Sequence, residues 1–558
     1  MFRYLLKLYE HFEVEESHIT SIAELAQIWC CSTRYAKVLV KKCEERSWLT
    51  WRTEQGRGKK PRLCLRLTKL DAIYLAFDDY WQHQQFKEAY TLLQQYNVLS
   101  HPQVENWLQQ RYGFSNEEAR DVFRYPYWNV ALNYDPLNGN SRHDMHLYNQ
   151  IHESLFVYCA ETARAKPNLV YDYHTDDAKT WTFILRKDIY FHDGTKLTSN
   201  DVLASLQRIC TKKLLPEANL SAASPYHFTI ELTKPKALLP RMLCNARYSI
   251  VPAKWIEEGA EGIPVGCGAF YIAEHNEQHM RLSVFPKYFQ ARPWVDDVDI
   301  IFTANIQQFG ISALPFATHI AQQKLTFQEQ GADFILFNAT RGPLQDETYR
   351  RALFEAIDAD HYCLFEEGEI VATSFLPAYR RAQPKARPLP SLDFPHLRIG
   401  VQQIRPKANH MREAQILSDF LTAHAISHEL LWMPVNASAH YCVQHYDIFV
   451  GGIALGEDPL LGWLHALNSE RSPVCSFLGS QDVQKLLQQA AMHEDIQLLY
   501  EIEARLIEAG VLKFLTHRQH VFYMREDLPF HNIHFDQHGK IDYRKISPPV
   551  ISSVATNT

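Results

Sequence analysis

Apolar residues recur at helical spacing early in the chain. In "SIAELAQIW", Ile22, Leu25, Ala26 and Trp29 fall at i, i+3, i+4 and i+7, the stripe of one half-buried helix. Ser21 and Glu24 have the spacing of a capping box that would start it. After a short break at Cys30 and Cys31, Ser32 is placed to cap a second helix. There Ala36, Leu39, Val40 and Cys43 share one face, and Arg34, Lys37 and Lys41 lie on the opposite one. The period then changes to two. "WLTWRT" and "RLCLRL" alternate as short strands, Leu63, Leu65 and Leu67 pointing one way and Arg62, Cys64 and Arg66 the other. Between them "EQGRGKKP" supplies Gly56 and Gly58 for a hairpin turn, with Arg57, Lys59 and Lys60 at its tip.

From Asp71 to about Asp121 the pattern reads as helical and glutamine-rich, through "QFKEAYTLLQQYNVL" and "NEEARDVF", with "SHPQ" as a break. Such a segment serves as a connecting layer or a dimer contact, and helical spacing does not distinguish the two. "WNVALNYDP" reads as a strand entering a loop. In "WTFILRKDIYFHDGTKLTSNDVLASLQRI", Trp181, Phe183 and Leu185 alternate as a strand, "HDG" turns, and Thr198 or Ser199 caps a helix that opens with Asp201. His192 and Asp193 have no accompanying nucleophile, so a turn beside a capped helix accounts for them better than an acid–base pair does. Mixed strands and helices continue to the C-terminus without an internal repeat.

Charge sharpens the picture at one place. The 558 residues carry a formal charge of −7, yet residues 32 to 63 hold ten Lys and Arg against three Glu. This local +7 leaves −14 on the rest, and a basic patch on an acidic chain faces a polyanion. Two helices at a tight turn, the second apolar beneath and basic above, suit a helix entering the major groove of duplex DNA. Ser32, Thr33, Arg34, Lys37 and Lys41 are the candidate groove contacts; Arg57, Lys59, Lys60 and Arg62 are candidates for phosphate. A merely solvated basic face is the rival reading. A phosphate-binding loop is excluded, because "QGRGKK" lacks the first glycine at the required spacing and has Lys60 where Ser or Thr should stand.

The remaining features bound the function by exclusion. No apolar run approaches the roughly 18 residues of a membrane span. "MFRYLLKLYEHFEVEE" has no secretory pattern, so a cytoplasmic location and no membrane partner are expected. Eleven cysteines without regular spacing form no disulfide framework, and Cys30 with Cys31 reads as turn and core rather than zinc ligands. His531, His534 and His538 lie close in sequence and read as a polar surface loop. With no catalytic elbow, zinc-protease helix or dinucleotide turn, the expectation is no enzyme, no cofactor and no metal.

The segment from Trp181 closely resembles the signature of the family 5 solute-binding proteins, the peptide and nickel binders of ABC importers. The likeness continues in order through "IHESLF", "GCGAFYI", "FPKYF", "FILFNATRGPLQDETYRRALFEAID" and "YDIFVGGIALGEDP". With a winged helix in front, the chain resembles the SgrR-type transcription regulators. The resemblance implies an α/β chain: a winged helix-turn-helix domain over 1–70, a helical connector over 71–121, and a two-lobed periplasmic-binding-protein-like domain of the type II, peptide/nickel-binding class over 122–550. It further implies a cytoplasmic activator that binds promoter or operator DNA, senses a small polar solute such as a sugar or sugar phosphate, and controls a stress or transport gene, with RNA polymerase as a candidate partner. By the same likeness Tyr134, Asn338, Gly451, Gly452 and Trp463 border the ligand cleft.

One departure bears on the ligand. In peptide-binding members an Asp four residues before the Pro of the late-strand motif holds the peptide ammonium; here Leu455 takes its place, and Asp458 before Pro459 belongs to the turn. Without that carboxylate the charge-assisted bond that selects a free amine is gone, which argues against an ordinary peptide. Two other readings stay open: a cytosolic solute-binding or scaffold protein without sequence-specific DNA binding, and a regulator whose transport-like domain serves only for assembly.

Overall fold

The computed structural model of the chain describes residues 1–548 except 54–58, 100, 118, 128–132, 140–141, 303–310, 313–321, 364–368, 383–384, 406–407, 435–436, 469–471, 494, 527–532 and 537–538. Arg57 and its two glycines, His531, His538 and the start of "WNVALNYDP" lie outside the described residues. The chain divides into two compact units. The first comprises Met1–Val130, Ala273–Leu282 and Asp297–Ser312, and the second the remainder.

The first unit begins with α1 (Phe2–Leu8), β1 (His18–Ile19), α2 (Ile22–Ile28), α3 (Thr33–Glu45), β2 (Leu49–Arg52) and β3 (Arg62–Leu65). The three strands form one antiparallel sheet in the order β1-β3-β2. This is a winged helix. Local chemistry explains its boundaries. Ser21 and Glu24 close a reciprocal capping box at the start of α2. Cys30, at φ 50°, makes the left-handed step between α2 and α3, and the Ser32 hydroxyl accepts from the Tyr35 N–H at 3.2 Å to cap α3. α1 goes beyond the sequence reading; it contributes Leu5, Leu6 and Leu8, all essentially buried.

Three further helices follow: α4 (Lys69–Gln82), α5 (Phe86–Gln95) and α6 (Pro102–Arg111). They share one continuous apolar core with the winged helix, in which Leu39, Leu63 and Leu65 join Phe77, Trp81, Phe86, Leu93 and Leu108. The "SHPQ" break is the start of α6, where His101 caps and Pro102 occupies the first turn. "NEEARDVF" is a correction. It is not helical but spans β4 (Gly113–Glu117) and β5 (Arg120–Tyr127), an antiparallel hairpin turned at Ala119 with φ 63°. Glu, Ala and Arg favour a helix, but parallel pairing of β5 with the strand Asp297–Phe302 overrides that preference. The sheet order is Phe270–His275, His279–Val284, Asp297–Phe302, β5, β4.

Charge pairing fastens this sheet. Arg120 binds Asp297 bidentately, at 2.6 and 2.8 Å. Asp299, 1% exposed, receives Arg124 at 2.7 Å, Arg281 at 2.7 Å and His279 at 2.8 Å. The helical layer docks at the same place: Phe86 packs on the His279 ring at 5.3 Å, and the Lys87 N–H donates to Gln278 at 3.0 Å.

The second unit holds a four-stranded antiparallel sheet and a mixed five-stranded sheet. The first orders Ala218–Ser224, His227–Leu232, Thr180–Leu185 and Val170–His174. The second orders His428–Trp432, Leu397–Val401, Ile448–Ala454, Gly331–Phe337 and Leu512–Phe514. Trp181, Phe183 and Leu185 are buried along their strand, and Thr198 with Asp201 forms the expected capping box on Ser199–Thr211. His192 bonds the Gly268 carbonyl at 3.0 Å, while Asp193 accepts from Thr195, so the two belong to the turn.

Candidate functional site

The α3 face opposite the core is built as its periodicity dictates. Ala36, Leu39, Val40 and Cys43 are buried, while Thr33, Arg34, Lys37 and Lys41 are exposed. Lys41 pairs with Glu45 one turn on at 3.8 Å, an exposed contact of little strength. Lys59 and Lys60 are exposed at the near end of the wing, and Arg62 is half-buried on β3. Arg52, not singled out from sequence, stands directly opposite Arg62 in the β2–β3 register. Like charges facing each other across a ladder repel.

Lys60 has an internal partner. Its Nζ donates to Glu24 Oε1 at 2.7 Å, joining the wing to the start of α2. Hydrogen bonds from Lys60, Thr20 and the Ser21 N–H bring the Glu24 carboxyl down to about 2. A phosphate competes with Glu24 for Lys60. Glu24→Gln keeps the capping-box geometry and removes the charge. The expected result is duplex affinity about 2- to 5-fold higher at low salt, with little change in melting temperature, measured by anisotropy and a thermal scan.

In the second unit the residues expected near a ligand divide. Asn338 is fully buried and its amide is saturated, donating to the Val443 and Tyr446 carbonyls at 2.9 and 3.0 Å and accepting from Thr340 at 2.7 Å. Trp463 is fully buried in apolar core between Phe375 and Tyr500. Both side chains have packing duties. Tyr134 is half-buried, its hydroxyl pushed up to about 12 by burial and then by Asp144. Leu455 is buried in the same apolar core as Trp463. Asp458 caps the helix Pro459–Asn468 and binds Arg241 bidentately at 2.6 and 2.5 Å, which is the turn role expected of it.

Gly452 borders a polar network spread over some 185 residues and invisible to motif reading, in which Asp333, His410 and Glu413 are buried and Arg518 reaches solvent. A side chain at 452 would run into the Asp333 carboxylate and the His410 ring. Asp333, His410 and Glu413 bring one ligand atom each within 4.8 Å of one another, the residue set of a metal site among the described residues. Arg518 stands in a cation's place, 2.9 Å from Asp333 and 3.4 Å from His410. Burial holds the His410 imidazole down to about 4 and raises the Glu413 carboxyl, so the network balances its charge with Arg518.

Among the described residues no helix is long and apolar enough to cross a membrane. Residues 1–118 match the family described as "Sugar transport-related sRNA regulator N-term", and residues 164–379 match "Bacterial extracellular solute-binding proteins, family 5 Middle". A Bacillus subtilis protein, "Uncharacterized protein YhjP", is 26% identical over 96% of this chain and 99% of its own. The "HTH-type transcriptional regulator SgrR" of Escherichia coli K12 is 26% identical over 58% of this chain; the match spans 59% of that relative's length. The fold is similar to "HbpA2 from Haemophilus parasuis", with TM-score 0.62 and 15% identity over 77% of this chain and 100% of that one. It is similar also to a dipeptide binding protein from Pseudoalteromonas sp. SM9913, with TM-score 0.61 and 16% identity over 76% and 100%. The chain therefore carries, in order, a region matching the sugar transport-related sRNA regulator N-terminal family and a region matching the family 5 solute-binding proteins, and it is similar over 58% of its length to regulators named SgrR.

Proposed function

We propose that this chain is a ligand-responsive DNA-binding transcriptional regulator of the cytoplasm. It binds promoter or operator DNA through α3 and the wing, and a small polar solute, of the sugar or sugar-phosphate class, through its family 5 region. The observation that carries the reading is the segregation of α3, four buried residues on one face and Arg34, Lys37 and Lys41 on the other, beside a basic hairpin. The names borne by its relatives support regulation and a link to sugar transport. The solute-binding fold supports a binding role rather than catalysis. Leu455, buried among apolar side chains, offers no carboxylate to a peptide ammonium and turns the ligand choice away from peptides.

The core shared by the winged helix and α4–α6 packs through Phe86 and Lys87 on the sheet of the same unit, which supports a reading in which ligand binding biases DNA binding. The strands met there fall within the family 5 match. A ligand shifts such an equilibrium only by its differential affinity for the two states, typically about 5- to 150-fold in operator affinity, with the same factor appearing reciprocally. Footprinting the full chain on its own upstream DNA with a panel of phosphorylated sugars tests this. One sugar phosphate is expected to shift the protection midpoint by a factor within that range and to raise the melting temperature. Stabilisation by peptides alone would overturn the ligand class.

A further inference from the structure

At the centre of the outward face of α3 stands an apolar residue. Val38 is 42% exposed, with Arg34 four residues before it and Lys41 and Lys42 three and four residues after it. Beside it Tyr35, 45% exposed, is braced edge-on by Tyr4 at 5.9 Å. The buried stripe is complete without it, and a β-branched residue is a weaker helix former than lysine or alanine, so neither packing nor helix propensity calls for valine here.

We propose that Val38 is a specificity-determining residue that selects thymine, its methyl groups packing on the 5-methyl of a thymine in the major groove. This rests on the DNA-binding reading above and narrows it to a class of duplex. The flanking lysines fix the occupant, since Lys41 and Lys42 hold the helix against phosphate and so aim the residue between them and Arg34 at the groove floor. There thymine presents the apolar group that uracil and cytosine lack. Arg34 supplies the hydrogen-bonding arm beside it.

The test uses the full chain. Duplexes selected from a random pool define the bound site, and each thymine in it is then replaced singly by deoxyuridine. At one or two positions wild type is expected to bind about 4-fold more weakly without the methyl, which corresponds to ~0.8 kcal/mol. Val38→Ala is expected to bind the thymine and uracil duplexes within about 1.5-fold of each other, with the salt slope and melting temperature of wild type. Equal sensitivity of wild type and variant at every position, or loss of all duplexes alike in Val38→Ala, would overturn the role of Val38 while leaving DNA binding intact. Failure of wild type to retain any duplex would remove the DNA-binding reading itself, and this inference with it.

Discussion

Replacing Arg34, Lys37 and Lys41 together by alanine is expected to lower duplex affinity at least about 100-fold near 0.15 M salt and to leave the fold intact. All three are exposed, and alanine is the better helix former at each position. The two effects separate by residue. An arginine reading a base edge contributes about 5- to 150-fold on its own site and relaxes sequence choice when lost. Lysines on phosphate weaken all sequences alike, each reducing the slope of log affinity against log salt by about 0.9. Anisotropy titrations of the single and triple variants over a salt series measure both. Unchanged affinity in the triple variant would mean that α3 does not enter the groove.

Asp299→Ala is expected to cost about 3 to 5 kcal/mol in unfolding of the first unit, because Arg124, Arg281 and His279 would face one another without their common partner. The acid dependence follows from the same contacts. Burial alone would raise this carboxyl, but hydrogen bonds from His279 and Arg281 and the charge of Arg124 outweigh it and hold it well below its ordinary 3.8. A depressed folded value means that the stabilisation is present above the ordinary value and is lost as pH falls below it toward the folded one. Asp299→Asn should therefore flatten the fall in stability between about pH 5 and pH 2, read by chemical denaturation at each pH. Because Phe86 rests on His279, the same substitution should loosen α5 and weaken any effect of ligand on DNA binding.

The winged helix was legible because its determinants are local. Cap, apolar stripe, basic face and strand alternation all fall within some 45 consecutive residues, and each acts over a few positions. The hairpin at β4–β5 was not legible. "NEEARDVF" carries helix-favouring residues, and what makes Val122 and Phe123 strand residues is their parallel partners Asp297 and Val298, about 175 positions away. The family 5 region was recognisable from its motifs, yet the motifs did not show what surrounds each side chain. Asn338 and Trp463 stand in the expected segments, but which hydrogen bonds and rings surround them is set by residues over 100 and nearly 90 positions distant. The Asp333–His410–Glu413–Arg518 network is legible only once the fold brings three segments together.

The most direct measurement is the binding of full-length wild-type chain to labelled duplex from its own upstream region, in excess unlabelled non-specific DNA, across a salt series. An α3 that enters the groove gives saturable, sequence-selective binding whose affinity falls steadily as salt rises, with both affinity and slope lost in the Arg34, Lys37 and Lys41 triple variant. Binding that is absent, or that is indifferent to salt and to the triple substitution, would contradict it.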